Sequence, residues 1–162
     1  MYAALLLLSL LAPAETLAGK VVAVVDGDTI RVLDSRKVQH MIRLHGIDAP
    51  EGGQAFGQRS KQHLSAMIMG KDVVVAVSGL DKFGRELGVI TFAALPKPVN
   101  ANISMVREGM AWHFVRYAPR DKELAAAEAE ARKAKRGLWA DKAPVPPWDY
   151  RAAKQKSEKQ RK

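Results

Sequence analysis

Two runs rich in β-branched residues flank an Asp-Gly turn near the start of the chain. Residues 20–25 form the first run, Asp26-Gly27 is a turn dipeptide, and residues 29–33 form the second run. Because Asp-Gly turns join adjacent antiparallel strands, the pattern predicts a β-hairpin with acidic residues at its tip.

Three more strands and three helices are predicted further along. Residues 38–45 alternate, with Val38, His40, Ile42 and Leu44 on one face, so Arg43 is expected to point away from the core. The other strands are predicted at 73–77 and 87–92, and the helices at 54–69, from Asn100 onward, and at 121–136. Five short strands, one helix between the third and fourth, and two final helices predict an α+β domain on a small closed barrel of the oligonucleotide/oligosaccharide-binding (OB) type.

The length and composition favour one globular domain with tails. At 162 residues the chain is long enough for one well-buried core. The absence of cysteine excludes disulfides, zinc-thiolate sites and thiol nucleophiles. The formal net charge of +9 suggests a polyanionic partner.

The last part of the chain is rich in proline and then in basic residues. Residues 144–148 are predicted to form an extended strap whose Trp148 packs on the barrel. Residues 151–162 contain six Lys or Arg and one Glu, and thus supply +5 of the net charge. Such a run is typical of a solvated, disordered end, and a nucleic-acid-binding arm is the alternative. We therefore assign 141–162 to a strap and a disordered tail.

The amino terminus resembles an export signal. Residues 3–14 are an apolar, leucine-rich run followed by small residues, so cleavage is expected after Ala14 or Ala18. The run is shorter than the roughly 20 apolar residues of a membrane-spanning helix. We predict a signal peptide at 1–18 and a secreted or periplasmic protein without stable membrane association. An uncleaved anchor is the alternative, because no Lys or Arg precedes the run.

Three short segments carry the residues suited to phosphodiester chemistry. They are Asp26 to Thr29, Arg43 with Asp48 to Glu51, and Asp81 to Arg85. Paired carboxylates bind hard cations, a third carboxylate can accept a proton from water, and guanidinium forks match phosphate oxygens. The combination indicates a metal-assisted phosphodiesterase.

The same segments carry a family resemblance. Residues 24–30, 42–51, 81–85 and 99–111, with Gly137-Leu138-Trp139, together resemble the thermonuclease family of staphylococcal nuclease-like domains. The resemblance extends from Gly19 to Trp139, so we place this domain at 19–140. It implies a five-stranded OB-fold barrel with about three α-helices and nuclease activity.

The resemblance also implies roles for particular residues. Asp28 and Asp48 correspond to Ca²⁺ ligands, and the Ala49 backbone carbonyl to a third. Family members often have Thr at the position of Ala49, but the metal needs the carbonyl alone. The other implied roles are Glu51 as general base, Arg43 and Arg85 as phosphate-holding arginines, and Lys82, Phe83 and Tyr117 as nucleotide contacts.

The function expected from the resemblance is that of an exported, Ca²⁺-dependent endonuclease acting on DNA, RNA or both. If it follows the family, water attacks in line and the products carry 3′-phosphates. We expect a monomer without an obligate protein partner. The alternative is a non-catalytic nucleic-acid-binding barrel, since this fold also binds strands without cutting them.

Overall fold

The computed structural model describes residues 15–161. Its strands are β1 (Glu15–Asp26), β2 (Thr29–Asp34), β3 (Gln39–Leu44), β4 (Ile47–Asp48), β5 (Asp72–Leu80), β6 (Glu86–Phe92), β7 (Val99–Asn100) and β8 (Trp112–His113). Its helices are α1 (Gly57–Ile68), α2 (Ala101–Arg107), α3 (Lys122–Lys133) and α4 (Pro147–Gln160), with a short 3₁₀ helix at Gly137–Ala140.

Five of the strands form a closed barrel. Strand β1 lies between β2 and β5, and the antiparallel neighbours β2–β3 and β5–β6 continue the sheet on either side. A parallel pairing between β3 and β6 closes it. Strand β7 extends the sheet beside β6, whereas β4 and β8 form a separate pair. The α+β, OB-type barrel predicted from the sequence is confirmed.

The barrel interior follows the side-chain alternation of its strands. Ile30 and Val32 of β2 and Ile42 and Leu44 of β3 are at most 1% exposed. Arg43 lies between the last two and faces the other side of the strand, as the alternation predicts. Val38 does not share the core face, because it precedes β3 in the turn and is 48% exposed.

Side-chain caps begin helices α2 and α3, and a glycine allows the loop before α1 to pack closely against that helix. The Asn100 side chain accepts from the Ile103 N–H at 3.1 Å, and the Asp121 side chain caps α3. Helix α1 begins at Gly57, later than the predicted start at 54. A Cβ at Gly57 would lie 1.9 Å from the Glu51 carbonyl oxygen, so a glycine lets the preceding loop fold back against the helix.

The prediction of a disordered basic tail is wrong. Residues 147–160 form helix α4, which makes four α-helices in the described part of the chain instead of about three. Pro147 is the first residue of this helix and Asp149 lies in its first turn, both favourable at a helix start. Trp148 packs against the domain as predicted, and it anchors a helix rather than an extended strap.

The first strand begins before the predicted domain boundary at 19. Residues 15–18 pair with 74–77 of β5. Cleavage after Ala18 would remove these paired residues, whereas cleavage after Ala14 leaves β1 whole. The apolar run at 3–14 lies outside the described residues. Within residues 15–161, no helix is long and apolar enough to span a bilayer.

Candidate active site

The turn between β1 and β2 places Asp28 against the segment that follows β3. The Asp28 backbone N–H donates to the Asp26 side chain at 3.1 Å, which closes the turn. The Asp28 carboxylate is buried and accepts from the Ala49 backbone N–H at 2.9 Å and from the Thr29 hydroxyl at 3.0 Å. The acidic hairpin tip is thereby held beside residues 48–49.

Arg43 joins the two aspartates predicted as metal ligands. Its Nη1 donates to Asp28 Oδ1 at 2.5 Å and its Nη2 donates to Asp48 Oδ1 at 2.8 Å. The register of β2 and β3 explains the first contact, because Thr29 lies opposite Arg43 and Asp28 directly precedes it. Asp48 is in β4 and is fully buried, so its position is set by pairing with Trp112 of β8.

Burial dominates the electrostatics of Asp28. Loss of water contact raises the pKa of the Asp28 carboxyl to about 7, although the Arg43 guanidinium acts in the opposite direction. Burial disfavours the charged form of Arg43 as well, but the Asp28 and Asp48 carboxylates outweigh it and raise the Arg43 pKa. The Arg43 guanidinium therefore offsets the effect of burial on the Asp28 pKa only in part.

The β5–β6 turn positions Arg85 across from these carboxylates. Asp81 Oδ1 accepts from the backbone N–H groups of Phe83 and Arg85 at 2.8 and 3.0 Å, which shapes the turn. Asp81 Oδ2 accepts from Arg85 Nε at 2.7 Å. Arg85 Nη1 reaches the Thr29 hydroxyl at 3.4 Å, and this hydroxyl donates in turn to Asp28. Arg85 thus lies one hydroxyl group away from the Asp28 carboxylate.

One open cleft of about 710 Å³ collects nearly all of the predicted site residues. Phe83 and Tyr117 at its rim are 71% and 59% exposed. Asp48 is buried behind the cleft wall, where Arg43 contacts it. The predicted residues that line the cleft are Asp28, Arg43, Ala49, Glu51, Lys82, Phe83, Arg85 and Tyr117.

Arg151 of α4 is the site residue that the sequence prediction missed. Its Nη2 donates to Asp48 Oδ2 at 2.7 Å, and its Nη1 donates to Glu51 Oε1 at 2.7 Å and to Asp48 Oδ1 at 3.2 Å. Hydrogen bonding to Asp48, with burial acting against it, and hydrogen bonding to Glu51 raise the Arg151 pKa. A residue that we assigned to a solvated tail therefore contacts both a predicted metal ligand and the predicted base.

The sequence did contain a signal for α4. Pro146-Pro147 with Asp149 is a helix start, and Trp148, Arg151, Ala152 and Gln155 follow at helical spacing. These four residues all line the cleft. The count of basic residues in 151–162 concealed this pattern, because charge alone does not separate a disordered tail from an amphipathic helix.

The donor atoms at the site fit a hard divalent cation of the kind that the fold implies. Asp28, Asp48 and the Ala49 carbonyl offer oxygen alone, which Ca²⁺ and Mg²⁺ prefer. Burial raises the pKa of the Asp28 carboxyl even with Arg43 beside it, so a divalent cation would further favour its ionised form. Within residues 15–161, no group of three or more His, Cys, Asp or Glu side chains has a metal-binding arrangement. Water and substrate oxygens would therefore have to complete a shell built on two carboxylates.

The closed five-stranded barrel defines an OB-fold protein. Its carboxylates and arginines form a charged site around one cleft on the surface. The family model described as "Staphylococcal nuclease homologue" matches residues 41–141. The chain belongs to this family.

Similar proteins occur in several bacteria. A protein named "Uncharacterized endonuclease" from Escherichia coli O157:H7 is 46% identical over 136 residues, which covers 84% of this chain and 86% of the relative. A "Micrococcal nuclease" from Shigella flexneri is 43% identical over 142 residues, covering 83% and 80%. "Protein ParB" from Escherichia coli is 42% identical over 158 residues, covering 92% and 88%.

Proposed function

We propose that this protein is an exported, Ca²⁺-dependent endonuclease that hydrolyses phosphodiester bonds of DNA, RNA or both and leaves 3′-phosphate ends. Membership of the staphylococcal nuclease homologue family and the names of two relatives, an endonuclease and a micrococcal nuclease, support nuclease action. The observation that carries the proposal is the convergence of Asp28, Glu51, Arg43 and Arg85 on one cleft.

Arg43 and Arg85 are suited to hold the scissile phosphate. The two bonds from Arg43 to Asp28 and Asp48 use two of its five N–H groups, so the guanidinium can be fixed by the aspartates and still donate to substrate. Arg85 is oriented by Asp81 in the same way. Two fixed guanidinium groups stabilise negative charge that develops on the phosphate oxygens, where an arginine can contribute about 10³ to 10⁵ in rate.

Glu51 is suited to act on the attacking water. Its carboxylate is 42% exposed and lines the cleft, so it can accept a hydrogen bond from a water molecule there. Proton acceptance by a positioned carboxylate contributes typically about 10² to 10⁴ in rate. The proton of the attacking water passes to Glu51 as the new oxygen–phosphorus bond forms. The bond to the 5′-oxygen breaks, and this oxygen leaves with the bonding electron pair and takes up a proton from solvent to give a 5′-hydroxyl.

Asp28, Asp48 and the Ala49 carbonyl would hold the divalent cation. Bound there, the cation would offset negative charge on the phosphate and on an adjacent water. Asp28 and Asp48 lie on either side of Arg43, so cation and guanidinium would share the same two carboxylates.

The exposed rim is suited to a nucleotide chain. Phe83 presents an exposed ring on which a base or sugar can stack, and Lys82 beside it carries an exposed ammonium group. Tyr117 lies at the rim with Phe114 in edge-to-face contact, at a centroid distance of 4.8 Å. Stacking on an aromatic ring depends little on which base is present, which fits action on many sequences.

The test is digestion of plasmid and single-stranded DNA by purified protein, with Ca²⁺ or with a chelator, followed by identification of the ends. We expect cleavage with Ca²⁺, loss of cleavage with chelator, and 3′-phosphate products. Equal activity in both conditions would contradict metal dependence. No activity from folded protein would favour the non-catalytic barrel.

A further inference from the structure

Helix α4 and the segment before it lie outside the matched family region at 41–141, yet they contact the loop that carries Glu51. That loop, residues 49–56, contains no strand or helix. Backbone hydrogen bonds fold the loop on itself, from the Gln54 N–H to the Glu51 carbonyl at 2.8 Å and from the Gly57 N–H to the Gln54 carbonyl at 3.0 Å. The C-terminal segment adds three further contacts.

The first contact is the ion pair between Arg151 and Glu51. Within residues 15–161, Arg151 Nη1 is the donor that the structure places on the Glu51 carboxylate, at 2.7 Å. The same guanidinium donates to both oxygens of Asp48. Arg151 thereby links the carboxylate of the predicted base to that of a predicted metal ligand through one planar group.

The other two contacts are a hydrogen bond to the Gln54 side chain and a close approach to Gly53. Gln54 Nε2 donates to the Val145 carbonyl at 2.6 Å, while Gln54 Oε1 accepts from the Glu51 backbone N–H at 3.2 Å. The Tyr150 hydroxyl lies beside Gly53, where an added Cβ would be 3.3 Å from it. Val145 of the strap thus accepts a hydrogen bond from the loop, and Tyr150 in the first turn of α4 lies next to it.

Aromatic packing fixes α4 itself. Trp148 stacks on Phe114 and contacts the edge of Trp112, and Pro147 is buried. Arg151 follows Trp148 by three residues, so both lie on the same face of the helix. Residues 152–160 are exposed, and the docked first turn therefore determines where Arg151 points.

We infer that Arg151 is a positioning residue for phosphodiester hydrolysis, which holds the Glu51 carboxylate in place beside Asp48, and that residues 145–151 are part of the working nuclease. This inference rests on the proposed function. Without Arg151, Glu51 keeps its place in the chain but loses the contact that sets its side-chain position. Misplacement of a catalytic group by about 1 Å can reduce the rate by about 10²-fold.

The test compares Arg151→Ala, Arg151→Lys and Lys156→Ala in the full-length protein. Lys156 is exposed on α4 and does not line the cleft, so its variant is a matched control for loss of one positive charge. With saturating Ca²⁺ and a short single-stranded oligonucleotide, we expect kcat of Arg151→Ala to fall by about 10- to 100-fold. KM should change by less than about 3-fold, because the binding arginines remain. Arg151→Lys should recover part of kcat, and Lys156→Ala should match the wild type.

Three further measurements separate positioning from a general structural effect. Added guanidinium ion should restore part of the kcat of Arg151→Ala, but not that of Glu51→Ala. Amide hydrogen exchange should increase at residues 51–56 in Arg151→Ala and stay unchanged in α3. The calcium affinity of Arg151→Ala, measured by calorimetry without substrate, should stay within about 3-fold of the wild-type value. A tenfold change would correspond to about 1.4 kcal/mol of binding free energy.

Specific results would overturn the inference. An undiminished or increased kcat in Arg151→Ala, with tighter calcium binding, would mean that Arg151 blocks the carboxylates rather than positions them. A raised KM with unchanged kcat would mean that Arg151 contacts substrate. Unchanged hydrogen exchange at residues 51–56 in Arg151→Ala would show that Arg151 does not position the loop that carries Glu51. Absence of cleavage by the wild type and Lys156→Ala alike would contradict the proposed function itself, and the role of Arg151 with it.

Discussion

Trp148 stacks on Phe114 with ring centroids 5.1 Å apart and ring planes 5° from parallel. Phe114 follows β8, the strand that pairs with β4 and buries Asp48. The ring of Trp148 therefore docks α4 onto the part of the domain that presents a site carboxylate. This relationship makes the C-terminal helix and the cleft one structural unit.

Trp148→Ala should release α4 from the domain. Loss of a partly buried aromatic ring is expected to lower the free energy of unfolding by about 1 to 3 kcal/mol. Hydrogen exchange should increase along 147–160, and kcat should fall because Arg151 leaves Glu51. Urea denaturation, hydrogen exchange and oligonucleotide cleavage check these outcomes. Trp148→Phe keeps a stacking ring and should behave much more like the wild type. Unchanged exchange in α4 would contradict the docking role.

Arg43→Lys should remove most of the activity although it preserves the charge. A lysine cannot span Asp28 and Asp48 with one planar fork or offer the same donors to phosphate, so kcat/KM is expected to fall by about 10³ or more. Cleavage kinetics at saturating Ca²⁺ check this. Arg31→Lys, at an exposed position of β2, is the control and should leave kcat/KM unchanged. Retention of a tenth of the activity by Arg43→Lys would contradict the role given to Arg43.

Asp28 should make the metal-free protein less stable as the pH rises. Its pKa of about 7 in the folded protein lies above the ordinary value of 3.8, so the folded state binds the proton more tightly. The contribution of protonated Asp28 to the free energy of unfolding is fully present below about pH 4 and is lost as the pH rises through 7. Each unit of pKa difference corresponds to about 1.4 kcal/mol, so the loss amounts to a few kcal/mol.

Denaturation in the presence of chelator, with Asp28→Asn for comparison, measures this effect. The asparagine variant should lack the Asp28 contribution, so the stability of the wild type relative to the variant should fall between pH 4 and pH 8. Parallel stability curves for the two proteins would show that Asp28 titrates normally.

His40 should contribute stability on the acidic side of neutrality. Its ring nitrogens lie 2.8 Å from Glu86 and 3.4 Å from Asp34, and it links β3 to β6 where the barrel closes. The hydrogen bond to Glu86, with burial acting against it, and the bond to Asp34 raise the His40 pKa. The contribution is therefore present below about pH 6.5 and is lost as the pH rises through the raised pKa.

His40→Gln should accordingly lower the free energy of unfolding by about 1 kcal/mol more at pH 5.5 than at pH 9. Denaturation at both pH values checks this difference. Met41→Leu, next to His40 on β3, is the control without a titratable group and should give the same loss at both pH values. A His40→Gln effect independent of pH would contradict the charged pairing.

Much of the fold was predictable because local patterns and tertiary structure agree. The Asp26-Gly27 turn, the alternation around Ile42, the helix start at Asn100 and the helix within 121–136 each appear where the sequence indicates. The cleft residues were found through the order and spacing of motifs. Single motifs did not suffice, because Asp-Gly-Asp or Asp-Ala-Pro taken alone fits an ordinary turn.

The missed features depend on contacts between distant parts of the chain. Arg151 contacts Glu51 across 100 residues of sequence, and the stacking of Trp148 on Phe114 makes that contact possible. No local sequence pattern shows that Trp148 of α4 packs on Phe114. The many basic residues of this segment indicated disorder instead. The paired residues 15–18 were missed for the same reason, because their partner strand β5 begins at residue 72.

Ca²⁺-dependent hydrolysis assisted by Glu51 is tested most directly by cleavage of an end-labelled oligonucleotide with the wild type and with Glu51→Gln, in Ca²⁺ and in chelator. We expect wild-type cleavage that needs Ca²⁺ and leaves 3′-phosphates, and a rate for Glu51→Gln reduced by about 10² or more. Cleavage by the wild type that persists in chelator, or equal rates for the two proteins, would contradict this mechanism.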